Sequence, residues 1–145
     1  MNIIEDIKQE KKCIQKREDD EAHQRRASIN EWMEQAKVSS QFMSLGIRAC
    51  FIENARNVKP DETLYVEPVI STAVNHSGVC TFSSPSTVYV YYAITGSLYK
   101  DMTKEKMYAE CQCKLAEFIK EDFEKQGQNV EMIHKSSSYR QLKIL

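Results

Sequence analysis

The chain has 145 residues, of which 41% are hydrophobic and 28% charged, and its 20 basic and 21 acidic side chains give a formal net charge of −1. This size and composition are typical of one folded domain and lie outside the disordered class. The balanced charge excludes attraction of the whole surface to nucleic acid or to anionic lipid, although it allows a local basic patch.

Targeting signals and disulfide patterns are missing from the sequence. The N-terminal stretch MNIIEDIKQEKK lacks the basic start, apolar centre and cleavage site of a signal peptide. The longest uncharged stretch is too polar to span a membrane. We therefore expect a cytoplasmic, intracellular protein with reduced cysteines and no membrane partner. The cysteines are odd in number and include no Cys-x-x-Cys pair, so we expect neither a disulfide framework nor a metal site.

Charged residues occur in blocks along the chain. Between Leu64 and Tyr99 the only charged residue is Glu67, and this stretch is rich in Tyr, Val, Thr and Ser, which favour strands. The flanking segments are rich in Glu, Lys, Gln and Met, which favour helices. Strands clustered between helices predict an α+β fold. Its predicted order is an N-terminal charged helical arm, a helix, a mainly antiparallel sheet of three or more strands, an amphipathic helix and a C-terminal hairpin.

The first segment, residues 1–28, is predicted to be the charged helical arm, and residues 29–145 a single α+β domain. In the arm, Ile3, Ile7 and Ile14 lie on one stripe of the helix. So narrow a stripe buries too little area to hold the helix on a globular core. The arm is therefore either solvated or completed by a partner.

The pattern changes at Ser28, where Ser28-Ile29-Asn30-Glu31 has the spacing of a capping box and predicts the start of a helix. The residues that follow at alternating spacings of four and three form a predicted heptad seam: Ile29, Met33, Ala36, Ser40, Met43, Ile47 and Cys50. We expect this helix to pack across one face of the sheet, with Gly46 at its end or at a kink. For the stretch from Ile47 to Asn57 the sequence fits either a continued helix or a first strand, and we favour the helix.

Three strands are predicted in the uncharged block. Pro68 interrupts Thr63–Thr72, which predicts an edge strand or a bulge there. The stretch Val74–Phe82 forms either one strand or two short pieces. The turn Ser83-Ser84-Pro85 leads into Thr87–Ile94, whose two alternating faces are both apolar or aromatic. We expect this last strand to be central and covered on both sides, by helices or by another subunit.

The last third of the chain predicts a helix and a hairpin. Thr103 fits the N-cap of a helix over Lys104–Gln126, whose apolar residues keep helical spacing. Gly127 stands where a glycine commonly ends a helix. Asn129–His134 and Tyr139–Leu145 are predicted to pair as a hairpin.

Patterns that carry catalysis are missing from the sequence. Its four isolated glycines form neither a P-loop nor a dinucleotide-binding fingerprint. His76 and Cys80 would lie about 13 Å apart on an extended strand, beyond hydrogen-bond reach. Paired carboxylates such as Glu121-Asp122 lie in charged segments where we expect them to be exposed, with nothing to raise their pKa. We predict a protein that is not an enzyme and has no catalytic residue, cofactor or metal.

The sequence therefore favours a non-catalytic protein-interaction or assembly protein, either an oligomeric structural component or an inhibitor that binds a protein partner. The arm would dock through its isoleucine stripe as a helix in a groove. Trp32, Tyr89 and Tyr91 would serve as aromatic anchors for the partner if they are exposed. The predicted partner-binding residues are Ile3, Ile7, Ile14, Trp32, Tyr89 and Tyr91. Homo-oligomers are common, so the first partner to consider is a second copy. Small chains without catalytic motifs are frequent among viral assembly factors and inhibitors, which would act in the host cell or the virion.

An RNA- or DNA-binding module is the alternative. Lysines of the arm and of the second helix would hold phosphates, and sheet tyrosines would stack on bases. The basic residues in question are Lys8, Lys11, Lys12, Lys16, Arg17, Arg25, Arg26, Lys100, Lys104 and Lys106. The tyrosine-rich block itself contains no lysine or arginine before Lys100, which disfavours this alternative.

Overall fold

The computed structural model of the chain describes residues 2–71, 78–94 and 105–145. Its helices are α1 (Ile3–Ser40), α2 (Met43–Glu53) and α3 (Glu105–Lys125), with a 3₁₀ turn at Ala55–Asn57. Its strands are β1 (Tyr65–Ser71), β2 (Val79–Ser83), β3 (Thr87–Ala93), β4 (Val130–Ser136) and β5 (Tyr139–Ile144). This order confirms the predicted α+β fold and its C-terminal hairpin. The predicted arm and the first part of the helix after it form one long N-terminal helix, α1.

The five strands form one mixed sheet in the order β2-β3-β1-β5-β4. In the described residues β1 and β3 pair in parallel, whereas the β2–β3, β1–β5 and β4–β5 pairs are antiparallel. The prediction of a mainly antiparallel sheet is confirmed, as is the interior position of β3. The strand that contains Pro68 is the central one, so the prediction of an edge strand there is wrong, whereas the ladder to β5 is interrupted before Pro68.

A side chain from α3 makes this central proline possible. Proline has no N–H to donate to a neighbouring strand, and the ladder between β1 and β5 covers the first two residues of β1. Beyond them the buried Gln112 inserts between the strands. Its Nε2 donates to the carbonyl oxygens of Pro68 at 3.2 Å and Arg140 at 2.7 Å, and its Oε1 accepts from the Arg140 N–H at 2.9 Å. One amide side chain thus replaces the missing part of the ladder.

The first helix runs without a break through the predicted start at Ser28. It begins instead after Asn2, whose side chain accepts a hydrogen bond from the Ile4 N–H at 3.0 Å. Because the backbone at Ser28 already lies inside the helix, the predicted capping box does not start one. Every described side chain from residue 2 to residue 27 is exposed, and the first buried one is Ile29. The division into an arm and a domain stays a prediction, although burial changes at this point.

All seven residues of the predicted seam are buried or half-buried. The helix nevertheless breaks at Gln41 and Phe42 rather than at Gly46, and α2 continues to Glu53, which confirms the helix predicted there. Asp122 of α3 supports the start of α2, since its Oδ2 accepts the Ser44 N–H at 2.7 Å. This carboxylate is 4% exposed, so the expectation that it is exposed is wrong.

The core occupies one face of the sheet and is closed by the three helices. Helix α3 packs on β1, β4 and β5, α2 packs on β2 and β3, and α1 packs mainly on α3. The indole N–H of the buried Trp32 donates to the carbonyl of Ala93 at 3.0 Å, which joins α1 to β3. Gly127, with φ of +81°, ends α3, and the Gln128 N–H donates to the Phe123 carbonyl at 2.9 Å, as predicted for a glycine C-terminus.

Candidate functional site

The N-terminal part of α1 presents an uncovered apolar stripe. Ile3, Ile7 and Ile14 are 71%, 50% and 42% exposed, and Ile4 beside them is 65% exposed. Further along the helix, the guanidinium of Arg26 forms a 2.8 Å ion pair with Glu110 of α3. The stripe is exposed in the single chain, which leaves both the solvated arm and the arm completed by a partner open, and Ile4 widens the stripe at the tip.

The face of the sheet opposite the core is free of the three described helices, and its side chains are half-buried or, for Gln141, buried. We call it the outer sheet face, and its central residues are Tyr65, Glu67, Val69, Tyr89, Tyr91, Tyr139 and Gln141. The strand register places Glu67 beside Tyr89 and Val69 beside Tyr91. None of the residues of this face belongs to the buried core cluster, so the helices of the described structure cover β3 on one side. The expected cover on its second side stays a prediction.

Glu67 holds the centre of the outer sheet face. Its Oε2 accepts the Tyr139 hydroxyl at 2.8 Å, and its Oε1 accepts the Gln141 amide at 2.6 Å. Burial, the hydrogen bond to Glu67 and its negative charge together raise the pKa of Tyr139, while burial and then the Glu67 charge raise the pKa of Tyr89. Among the described ion pairs none involves Glu67. The face therefore carries a fixed, half-buried negative charge among tyrosines.

A third apolar surface lies on α2, and sequence reasoning missed it. Leu45 and Ile52 are 51% and 66% exposed, and with Arg48, Leu64 and Phe123 they help to line a cavity of about 270 Å³. The signal was present in MSLGIRACFIE, which has two charged residues and is apolar on both faces. A helix that is apolar all round is usually buried.

The remaining predicted site residues are placed as follows. Tyr89 and Tyr91 lie half-buried on the outer sheet face, whereas Trp32 is 7% exposed in the core and cannot serve as an anchor. Burial of Trp32 in the core is favourable because its indole N–H donates a hydrogen bond to the Ala93 carbonyl. His76, Thr103, Lys100 and Lys104 lie outside the described residues, as do the side chains of Arg25 and Lys106.

The described parts of the chain offer no visible reaction centre. Within them no group of three His, Cys, Asp or Glu side chains is arranged to hold a metal ion. The half-buried Cys80 lies next to Cys50, and burial followed by that neighbour raises the pKa of Cys80 to about 11. A thiol with so high a pKa is a poor nucleophile at neutral pH. The arrangement of these surfaces is suited to binding.

Thiol reactivity should follow burial. Cys13 is exposed on the arm, whereas Cys111 is buried, and burial with the nearby Glu110 carboxylate raises the pKa of Cys111 to about 12. We expect a thiol reagent at mildly alkaline pH to modify Cys13 first in the folded protein, because the thiolate is the reactive form. Peptide mass spectrometry at increasing times measures this order. Modification of Cys111 as fast as Cys13 would contradict it.

Compared with known protein families, with curated proteins and with solved structures, the chain matches none of them. Within residues 2–71, 78–94 and 105–145, no helix combines the length and the apolar character needed to cross a bilayer. The function therefore has to be argued from the surfaces themselves.

Proposed function

We propose that the chain is a non-catalytic protein-interaction component that assembles through its N-terminal arm, with a second copy of itself as the simplest partner. The observation that supports this most directly is the row of exposed isoleucines, Ile3, Ile4, Ile7 and Ile14, on a helix that projects beyond the core. A single exposed apolar residue is ordinary, but several on one side of a helix are typical of a docking surface.

The outer sheet face supports the same proposal. Four tyrosines and Val69 lie on a sheet face that none of the described helices covers. Tyrosine is enriched at protein interfaces because it offers a large apolar ring together with a polar end. The apolar stripe of the arm and the aromatic face of the sheet are thus two surfaces of this chain that are suited to binding a protein.

The nucleic-acid alternative receives less support from the same residues. Tyr89, one of the tyrosines that would stack on bases, lies beside the Glu67 carboxylate, which repels phosphate. Arg26, one of the candidate phosphate ligands, is already paired with Glu110. The two proposals differ in salt response, since the affinity of a nucleic-acid complex falls linearly with salt on logarithmic axes.

The replacement Ile7→Asp tests the proposal. We expect it to abolish or strongly weaken assembly, because it puts a charge into the apolar stripe, while the unfolding free energy changes little since Ile7 is half-exposed. Light scattering gives the mass of the full chain at several concentrations. Gln9→Asp is the matched control, because residue 9 is also exposed but lies on the other side of the helix from Ile7.

If the wild-type chain is a monomer, the same two variants are compared for capture of a protein partner from cells. Loss of capture with Ile7→Asp, but not with Gln9→Asp, would assign the arm to that partner. Wild-type mass and wild-type capture for Ile7→Asp would refute the proposal.

A further inference from the structure

We propose that the cavity along α2 binds a small amphipathic anion, a monocarboxylate with an apolar chain of about the size of octanoate, and that its carboxylate pairs with Arg48. The isoleucines of the arm are not among the residues that line this cavity. The proposed ligand site is therefore separate from the surface that carries the proposed function, and the two can be tested independently.

The walls of the cavity are mostly apolar. They come from α2, from the end of α3, from β5 and from the chain just before β1. The volume of about 270 Å³ has room for about nine groups of the size of a water molecule. Ligand sites are typically concave and apolar, with a few polar groups that orient the ligand. A short apolar chain matches both the size and the walls, whose apolar side chains are Leu45, Phe51, Ile52, Leu64, Phe123 and Ile144.

Arg48 supplies the charge that selects the ligand. Among the described residues that line the cavity it is the one charged side chain, and the ion pairs recorded between described residues do not include it. A guanidinium group presents parallel N–H donors that match the two oxygens of a carboxylate. An apolar cavity with an unpaired arginine at its exposed side is therefore suited to an anion with an apolar tail.

Ser44 is a second polar group of the cavity and indicates how the ligand is oriented. Ser44 is only 3% exposed, and its hydroxyl has no hydrogen-bond partner among the described residues, although buried hydroxyls are normally paired. It lies one helical turn before Arg48, and Ile52 lies one turn after Arg48, so all three share one side of α2. This side is polar at Ser44, charged at Arg48 and apolar at Ile52. The carboxylate would lie towards Ser44 and the tail towards Ile52.

A cationic ligand is the competing occupant, because a carboxylate lies close behind Ser44. The Oδ2 of Asp122 accepts the Ser44 N–H at 2.7 Å. Asp122 is not among the described residues that line the cavity, however. Its charge also faces the N-terminal end of α2, where the partial positive charge of the helix offsets it. The guanidinium of Arg48 is thus the charge that a ligand would meet, and we assign the cavity to an anion.

Titration of the isotopically labelled full chain with octanoate, followed by amide NMR, tests the assignment. Octanoate is ionised at neutral pH, and we expect a dissociation constant of about 1 mM or below, with the largest shifts at the cavity. Arg48→Gln should weaken binding about fivefold or more, since it removes a charge-assisted hydrogen bond that water partly screens. Arg56→Gln is the matched control, because this exposed arginine does not line the cavity.

The apolar walls are tested by ligand length and by a second pair of variants. Affinity should rise up to about fourfold per methylene from butanoate to octanoate, and should rise little beyond it, because the cavity is then full. Ile52→Ser should weaken octanoate binding about threefold or more. Val38→Ser is its control, since Val38 is 63% exposed on α1, close to the 66% of Ile52, and lies outside the cavity.

Several results would overturn the assignment. Octanoate that causes no shifts at the cavity would show that it is not a carboxylate site. Octanol or octylammonium binding as tightly as octanoate would show that Arg48 does not select the ligand. Equal weakening by Arg48→Gln and Arg56→Gln, or by Ile52→Ser and Val38→Ser, would place the ligand elsewhere. Ile7→Asp should leave octanoate binding unchanged, so a failure of the arm to assemble and a failure of the cavity to bind are distinguishable.

Discussion

Replacing Gln112 by leucine should lower the free energy of unfolding by about 3–5 kcal/mol. The buried amide forms three hydrogen bonds with the backbone of Pro68 and Arg140, and leucine satisfies none of them. A buried polar group that loses its partner costs about 1–3 kcal/mol, and here three backbone groups lose one. The backbone groups of Pro68 and Arg140, which do not pair with each other between β1 and β5, would then lack these hydrogen bonds.

Denaturant titration followed by far-ultraviolet circular dichroism measures this change, with the midpoint shifting at unchanged slope. The matched control is Gln126→Leu, which makes the same replacement at an exposed position just beyond α3. That control should stay within about 0.5 kcal/mol of the wild type. Equal stability of the two variants would show that Gln112 does not hold the sheet together.

Replacing Leu115 by alanine should have an effect of similar size for a different reason. Leu115 is fully buried on α3 in the core, and removing its side chain leaves a cavity that close-packed neighbours fill only in part, at about 3–5 kcal/mol. Alanine is the better helix former, so the loss reports packing rather than helix propensity.

Leu145→Ala is the control for this second replacement. Leu145 is 64% exposed at the C-terminal end of the chain, and the hydrogen bonds recorded for it use its backbone. We expect its free energy of unfolding to change by less than about 1 kcal/mol in the same titration. A loss for Leu145→Ala as large as that for Leu115→Ala would mean that the C-terminal leucine contributes to a core the structure does not show.

The parts of the fold that local sequence could predict are those set by periodicity. The residues of the seam from Ile29 to Cys50 are buried or half-buried, and Thr87–Ala93 is an interior strand. The break at Gln41 and Phe42 was not predictable from the same signal, because the seam keeps its spacing across the break. The spacing of apolar residues shows which side of a helix faces the core, but it does not show where the backbone bends.

The errors come from contacts between segments that are distant in sequence. Pro68 lies in a central strand because the amide of Gln112 donates to the Arg140 carbonyl in place of the N–H that proline lacks. Asp122 is buried because it accepts a hydrogen bond from the start of α2. No local rule gives either result. In the candidate site the shared face of Tyr89 and Tyr91 followed from alternation, whereas Trp32 was misplaced because its carbonyl partner is supplied by β3.

The continuity of α1 from Asn2 to Ser40 has an energetic consequence for the arm. A free peptide of the same sequence would have to nucleate its own helix, which is unfavourable. In the intact chain the core holds residues 29–40 in helical form, so the arm extends a nucleus that exists already. Its isoleucines are thus preorganised, and the proposed docking need not offset the entropy of folding a disordered segment. A helix that is already formed needs fewer contacts to reach a given affinity than a segment that folds on binding.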